Sequence, residues 1–380
     1  MSEMSGDEST PRTPGDRIRD ALASRGWTQA DLARILGRPL PTVNEVIQGK
    51  RAIMPEMAVA LGVAFGEAPE VWMHLEADYR LSLVKDSDAR QVRSRARLYE
   101  IAPVKEIQKR GWIKQTEDVA ELEKELKRFF HVDDLESAFA VEADFRKSTP
   151  YAELTSAQRA WCARALQMGR SLQVSKFREE ALADCERELR KLAAYSQETK
   201  KVPKVLASYG IRFVVIEPLQ GSKIDGAAMW LDADSPVIAI SMRYDRIDNF
   251  WFTVGHELSH IKHRDAASVD ANLAPEDGSE STAKPPVEQR ADAEAATLLV
   301  PAETLNSFIK RVGPIYSKER ISQFANRVKI HPGIIVGQLQ RRKEIGYSAI
   351  RDLLIKVRSI VTSTAVTDGW GQTIDPRAFT

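Results

Sequence analysis

Residues 249–263 read NFWFTVGHELSHIKH, and the spacing of their apolar side chains predicts a helix that carries His256, Glu257 and His260 as an H-E-x-x-H. Residues four apart on an α-helix share one face, so the two imidazoles can converge on one zinc ion. Glu257, next to the first ligand, can then reach a water on that metal and act as general base. The bland reading of five residues is a pair of satisfied histidines on a helix face. The surroundings favour the metal: a strand-rich segment leads in, FTVG packs the helix ahead of His256, and an acidic helix follows.

That second helix is EQRADAEAATLLVP, residues 288–301. Glu288 and Asp292 share a face by their four-residue spacing, while Glu294 points elsewhere. Spacing alone leaves two assignments open: Glu288 as third ligand with Asp292 behind it, or the reverse. His263 lies about 10 Å along the axis from His256, too far for one ion, and is expected to be a supporting residue. Three protein ligands leave a fourth position for water, which marks a catalytic rather than a closed structural zinc. Peptide hydrolysis is the natural chemistry. Candidates for stabilising the oxyanion are His331, Tyr347 and Tyr316.

Working outward, IRFVVIEPL, GAAMWL and PVIAISM are β-rich and separated by Gly, Asp and Ser, which predicts three short strands and a domain that starts at residue 202. The stretch AASVDANLAPEDGSESTAKPP, 266–286, is expected to be a mobile surface loop. The chain from there to residue 362 reads as helical, and 363–380 has no clear period. Residues 85–201 are charged and helix-favouring, and are expected to form a helical connector or bundle, a solvated scaffold that spaces two working ends.

The pair FTVGHELSHIKH and E-x-x-A-D-x-x-A-A-x-L-L-V-P resembles the ImmA/IrrE family of metallopeptidases. The resemblance implies a minimal zincin-like centre with a short β-sheet and one zinc per chain. It also implies that Glu288, which opens the second motif, is the third ligand, with Asp292 where the family carries Asn or Asp. The 266–286 insertion departs from the family pattern.

At the other end, RIRDALASRG, WTQADLARILG, PLPTVNEVIQG, PEMAVALGVAFG and APEVWMHLEADYRLSLV predict five short helices over 14–84. Thr28 and Ala68-Pro69 offer helix starts, and Gly26, Gly37, Gly49 and Gly66 offer stops. This block resembles the lambda-repressor-like helix-turn-helix of HigA-type antitoxins. The resemblance implies a second motif helix from Leu40 to Gln48 in the DNA major groove. Thr42, Asn44 and Glu45 are the expected base readers, Arg34, Arg38, Lys50 and Arg51 the expected phosphate contacts, and Gln29 a phosphate or base-edge contact at a helix start. Leu40 and Pro41 stand where relatives often carry polar readers. Double-stranded operator DNA and a homodimer on paired half-sites follow as expected partners.

Composition narrows the rest. The 55 Lys+Arg against 54 Asp+Glu leave a net charge of +1, so DNA contact must come from a local patch rather than a global field. The two cysteines, Cys162 and Cys185, are too few for a disulfide framework. The first residues, expected to form a disordered tail over 1–13, lack the basic start and apolar stretch of a signal peptide. No apolar run approaches the ~20 residues needed to span a bilayer. The expectation is a cytoplasmic α+β protein, mostly helical. In it a DNA-binding domain is joined to a zinc endopeptidase acting on a repressor, a toxin or the chain itself. The other class of function is an antitoxin or autorepressor whose metal-like domain senses or binds a partner without turnover.

Overall fold

Thr13 and Thr28 each close a capping box, Thr13 with Asp16 and Thr28 with Asp31, and thereby start α1 (Pro14–Arg25) and α2 (Gln29–Leu36). Helix α3 spans Leu40–Ile47, and prolines at the first helical position open α4 (Pro55–Phe65) and α5 (Pro69–Ser82). Gly26, Gly37 and Gly66 take left-handed conformations at the ends of α1, α2 and α4. Leu32, Ala33, Val43, Val46, Ile47 and Trp72 fill the core between these helices. The five helices expected from periodicity are the ones observed.

This is a computed structural model, and it describes residues 13–83, 86–135, 154–265, 268–271 and 284–370. The chain divides into two compact units, Met1–Arg95 and Ala96–Thr380. Of the expected tail over 1–13, residues 1–12 lie outside the described residues while Thr13 caps α1, and most of the expected loop over 266–286 lies outside them too. Among the described residues no helix is long and apolar enough to cross a membrane.

The second unit is built on a five-stranded mixed sheet. Strands β1 (Arg212–Val215), β2 (Ile224–Trp230) and β3 (Pro236–Ile240) are joined by β4 (Ser268–Ala271) and β5 (Val366–Thr367), in the order β4-β2-β3-β1-β5. β1 runs parallel to β3 and β5, while β2 is antiparallel to β3 and to β4. Alternate residues supply opposite faces: Ile238 and Ile240 enter one core, Val237 and Ala239 another. Burial on both faces is why PVIAI is apolar without alternation.

The first face is covered by α12 (Ile247–Lys262), with α10 (Leu182–Leu192) and α11 (Val202–Ser208) contributing to the same core. α13 (Pro286–Leu299), α14 (Ala302–Val312), α15 (Lys318–Val328), α16 (Pro332–Arg341) and α17 (Arg358–Thr362) complete it.

The second face corrects the reading of 85–201 as a spacer. That segment is helical, in α6 (Asp86–Ile101), α7 (Val104–Lys109), α8 (Val119–Phe130) and α9 (Ser156–Arg170). Leu122, Leu126 and Phe129 of α8 and Ala160, Trp161, Ala165 and Met168 of α9 share a core with the sheet residues Val214, Ala227, Met229 and Val237. The Trp161 indole donates to the Ile216 carbonyl at 3.2 Å. A sheet that is apolar on both faces needs both covered, and the charged runs of this segment are the outer sides of the helices that cover one of them.

Two strands escaped the sequence reading. β4 falls inside the expected loop, in a Ser-, Asp- and Ala-containing stretch of low strand propensity. β5 is two residues long and lies in the expected C-terminal tail. Arg110, whose guanidinium donates to the Glu217 and Pro218 carbonyls at 2.7 and 2.8 Å, also faces Asp368.

Candidate metal centre and helix-turn-helix surface

Every residue of α12 from Ile247 to Ile261 is buried. Phe250, Trp251, Val254, Leu258 and Ile261 enter the apolar core, which leaves the polar positions to meet α13 and β2. Helix α13 lies close against α12, because a side-chain carbon on Gly255 would stand 3.2 Å from the Ala295 Cα. His256 Nε2 is 3.0 Å from Glu288 Oε2 and 3.1 Å from His260 Nε2, and His260 Nε2 is 3.4 Å from Glu288 Oε1. A tetrahedral zinc with ordinary bond lengths has ligand–ligand edges of roughly 3.4 Å. Two imidazole nitrogens and the two oxygens of one carboxylate, all on buried residues, are thus gathered at nearly that spacing with the chemistry of a zinc ligand set, and these residues could hold a metal.

The outer ring nitrogens face carboxylates. His256 Nδ1 is 3.0 Å from Asp292 Oδ1, and His260 Nδ1 is 2.9 Å from Asp265 Oδ2. Such contacts fix ring orientation and leave the Nε2 lone pair facing inward. Asp292 is itself bound by Lys284 at 2.6 Å, and Asp265 by Arg290. Burial pushes the Asp292 carboxyl up, but its bonds to His256 and Lys284 together outweigh this and hold it below the usual carboxylate range. Of the two assignments left open by spacing, the fold brings Glu288 to the Nε2 side and Asp292 to the Nδ1 side. Their four-residue separation sets them on successive turns of α13, one beside each nitrogen of His256.

Glu257 is fully buried. It faces β2 at Gly226, where a side-chain carbon would lie 2.3 Å from Glu257 Oε1 and 2.8 Å from Thr253 Cγ2. The absence of a side chain at Gly226 is thus what makes room for the carboxylate. His263 ends α12 and meets Glu294 at 2.8 Å, and Ser259 donates to the same carboxylate at 2.9 Å. Glu294 and His263 form a brace between α12 and α13 outside the cluster.

Two of the three oxyanion candidates are occupied elsewhere. His331 caps α16, its Nδ1 accepting from the Gly333 amide at 3.1 Å, and burial pushes its pKa down. The Tyr316 hydroxyl donates to Glu344 at 2.8 Å, and burial, followed by that carboxylate, pushes its pKa up to about 12. The sequence reading missed Arg341, whose guanidinium lies over the Phe252 ring, 3.3 Å from its centroid. Burial pushes its pKa down, and Tyr347 is among the groups that act on it electrostatically. With Asn249 and Thr253, which share a helix face with Glu257, Arg341 lines a cavity of about 20 Å³, room for about one water. Nothing in the spacing of GQLQRR signals this contact; it depends on where α16 crosses α12.

In the first unit, Gln29 at the start of α2, Arg38 in the turn, and Lys50 and Arg51 after α3 are exposed, while Thr42, Asn44 and Glu45 on α3 are half-buried. Arg51 Nε donates to Glu45 Oε2 at 2.8 Å, so an expected phosphate contact and an expected base reader hold each other. Leu40 at the start of α3 is 41% exposed, an apolar group on the surface where a reader was expected.

The two units define a helix-turn-helix protein fused to a metallopeptidase-like domain. Residues 18–72 match the helix-turn-helix family, and residues 208–339 match the family described as the IrrE N-terminal-like domain of the M78 peptidases. The chain belongs to the helix-turn-helix family and carries that IrrE-like domain behind it. It is 32% identical over 69 residues to YddM, an HTH-type transcriptional regulator of Escherichia coli K12, covering 18% of this chain and 73% of the relative. It is 37% identical over 84 residues to virulence-associated protein A' of Dichelobacter nodosus, covering 22% of this chain and 73% of the relative. A solved structure, Pseudomonas aeruginosa antitoxin HigA with the higBA promoter, is 33% identical with a TM-score of 0.21, covering 22% of this chain and 91% of that one.

Proposed function

We propose that this protein is a cytoplasmic transcriptional regulator that binds operator DNA through residues 14–84 and hydrolyses peptide bonds of a regulatory protein through a zinc centre on His256, His260 and Glu288. The observation that carries the reading is the convergence of His256 Nε2 and His260 Nε2, 3.1 Å apart, on the buried Glu288 carboxylate, whose Oε2 is 3.0 Å from the first and whose Oε1 is 3.4 Å from the second, with Glu257 buried on the same helix. Zinc bound there would supply Lewis acidity and bring the pKa of a water toward neutrality. The Glu257 carboxylate would accept a proton from the attacking water and return it to the departing amine, the general acid–base role that a carboxylate next to the first ligand can fill. Asp292 and Asp265 hold the imidazoles in the tautomer that presents Nε2. Gly226 keeps the Glu257 carboxylate in place by leaving it room.

At the other end, the exposed Gln29, Arg38 and Lys50 are the phosphate contacts and Thr42 and Asn44 the base contacts of a homodimer on paired half-sites. The similarity to HTH-type regulators supports that reading.

The test is a comparison of the cellular protein fragments in wild type and Glu257→Gln. The purified variant is expected to keep about one zinc per chain while the fragments made by the wild type vanish. Zinc retained with identical fragments in both strains would instead favour the antitoxin reading, a metal domain that senses or binds without turnover.

A further inference from the structure

Helix α6 (Asp86–Ile101) lies beyond the helix-turn-helix match, which ends at residue 72, and ahead of the IrrE-like match, which begins at residue 208. From Ala89 to Tyr99 it reads ARQVRSRARLY, with four arginines and no acid. Every residue from Ala89 to Arg97 is exposed, and burial starts at Leu98, which with Ile101 enters a core of the second unit. Arg90, Arg93 and Arg95 fall in the first compact unit, with α1–α5.

The helices of the second unit handle their charge differently. α8 and α10 interleave acids with bases and pair them, Lys127 with Glu123, Arg128 with Glu125 and Arg187 with Asp184. On α6 the positions three and four apart hold Arg90 and Arg93, then Arg93 and Arg97, so neighbours on this face carry like charge and destabilise the helix. Among the described residues, neither Arg90 nor Arg93 has a hydrogen-bond or ion-pair partner. A helix that is polar on all sides is held by opposite-charge pairs or bridges between domains. This one keeps a repulsion that an anion from outside the chain would relieve.

The pattern says which anion. Arg90, Arg93 and Arg97 share one helix face over about 10 Å, a row of charge rather than a point, and the guanidinium fork suits phosphate oxygens. A membrane surface would require an apolar face on the other side, and Val92 is the one large apolar side chain between Ala89 and Arg97. The row also follows the helix-turn-helix closely, since α5 ends at Ser82 and α6 begins at Asp86.

We infer that α6 is a second DNA-contacting element, in which Arg90 and Arg93 bind the phosphate backbone of the duplex that α2 and α3 hold and add affinity without reading sequence. The inference rests on the operator-binding reading of residues 14–84.

The test uses the full-length chain with Arg90→Gln and Arg93→Gln, since glutamine is nearly as good a helix former as arginine. Binding to a fluorescein-labelled duplex of about 40 base pairs and random sequence, which reports phosphate contacts alone, is followed by fluorescence anisotropy over a range of salt. Each lost contact takes about 0.9 from the slope of log affinity against log salt, so the variant should be shallower by about two, and its loss of affinity between about 50 and 200 mM salt should be about tenfold smaller than in the wild type. A control, Lys310→Gln with Arg311→Gln at exposed positions of α14, removes the same charge and should leave the slope unchanged. A slope that stays put in the α6 variant, or flattens equally in the control, overturns the inference. An unchanged DNA slope together with lost binding to phosphatidylserine vesicles would give this face to a membrane instead. Arg38→Ala with Lys50→Ala keeps the operator reading distinct: a slope that flattens there but not in the α6 variant removes α6 and leaves the helix-turn-helix standing, and the converse removes those helix-turn-helix contacts and leaves α6.

Discussion

The pairs α2–α3 and α12–α13 are built inside out with respect to each other. In α2–α3 the inside is Leu32, Ala33, Val43, Val46 and Ile47, and the polar Gln29, Arg34 and Arg38 face water. In α12–α13 the inside includes His256, Glu257, His260 and Glu288. Burying polar groups is costly unless each is partnered, whereas exposed ones are solvated wherever they sit. The second pair must therefore contain its own answer, in the carboxylates behind each imidazole and the space beside Glu257. The first pair leaves its partner outside the chain. Substitutions in α12–α13 should consequently change stability and chemistry together, while those on the exposed face of α2–α3 should change binding alone.

Metal removal tests that contrast most severely. At a free zinc concentration about a thousandfold above its Kd, chelation is expected to remove about 4 kcal/mol of stability from the unit that holds the ligands. Hydrogen exchange followed by peptide mass spectrometry should show α12 and α13 losing protection while α1–α5 keep theirs. Equal loss in both units would break the comparison. The next effect in size is Gly226→Ala, whose added carbon would meet Glu257 Oε1 at 2.3 Å. Overpacking of this kind costs about 1–3 kcal/mol, and the Glu257 carboxylate must shift, so cleavage should fall as well. Gly255→Ala, with 3.2 Å to the Ala295 Cα, serves as the milder control. A Gly226→Ala chain that melts and cleaves like wild type would show that the carboxylate has room to spare.

The same contrast governs what could be read before the fold was known. His256, Glu257 and His260 are local: four residues of helix set their geometry, so the spacing suffices. Glu288 and Asp292 come from another helix, and helical spacing placed both on one face without saying which turn of α13 would stand opposite Nε2. Gly226, Asp265 and Arg341 are in the site only because β2, the end of α12, and α16 cross there, and no periodic pattern records a crossing. The helices of 14–82 were legible because caps and glycines punctuate them locally. The packing role of α8 and α9 was not, since an amphipathic helix shows that one face is buried but not what covers it.

On the exposed side, the combined change Arg38→Ala and Lys50→Ala sharpens the comparison. Both residues are exposed, and stability should move by no more than about 0.5 kcal/mol. Affinity for duplex DNA of any sequence should fall, and the plot of log affinity against log salt should become shallower by about two. An unchanged slope in a fluorescence-anisotropy titration would remove both residues from the DNA-binding surface.

The smallest effect is expected at the first cap, and it has a pH dependence that a merely local packing loss would lack. Thr13 donates its amide and its hydroxyl to Asp16 Oδ2 at 2.9 and 2.7 Å, and its own Oγ1 accepts the Asp16 amide at 3.1 Å. The Thr13 hydroxyl, then Arg19 and the Thr13 amide, hold the Asp16 carboxyl down at about 2. A carboxylate depressed in the folded state stabilises fully above its unfolded value, about 4, and that contribution fades as pH falls through the folded value. Replacing Thr13 by Ala should cost about 1 kcal/mol at neutral pH. Denaturant melts at pH 7 and pH 3 should show the gap narrowing in acid without closing, because the bond from the Asp16 amide to the threonine oxygen does not titrate. A gap that is the same at both pH values would mean that the ionised carboxylate contributes nothing to the cap, and that the exposed face of this unit is inert even to its own charges.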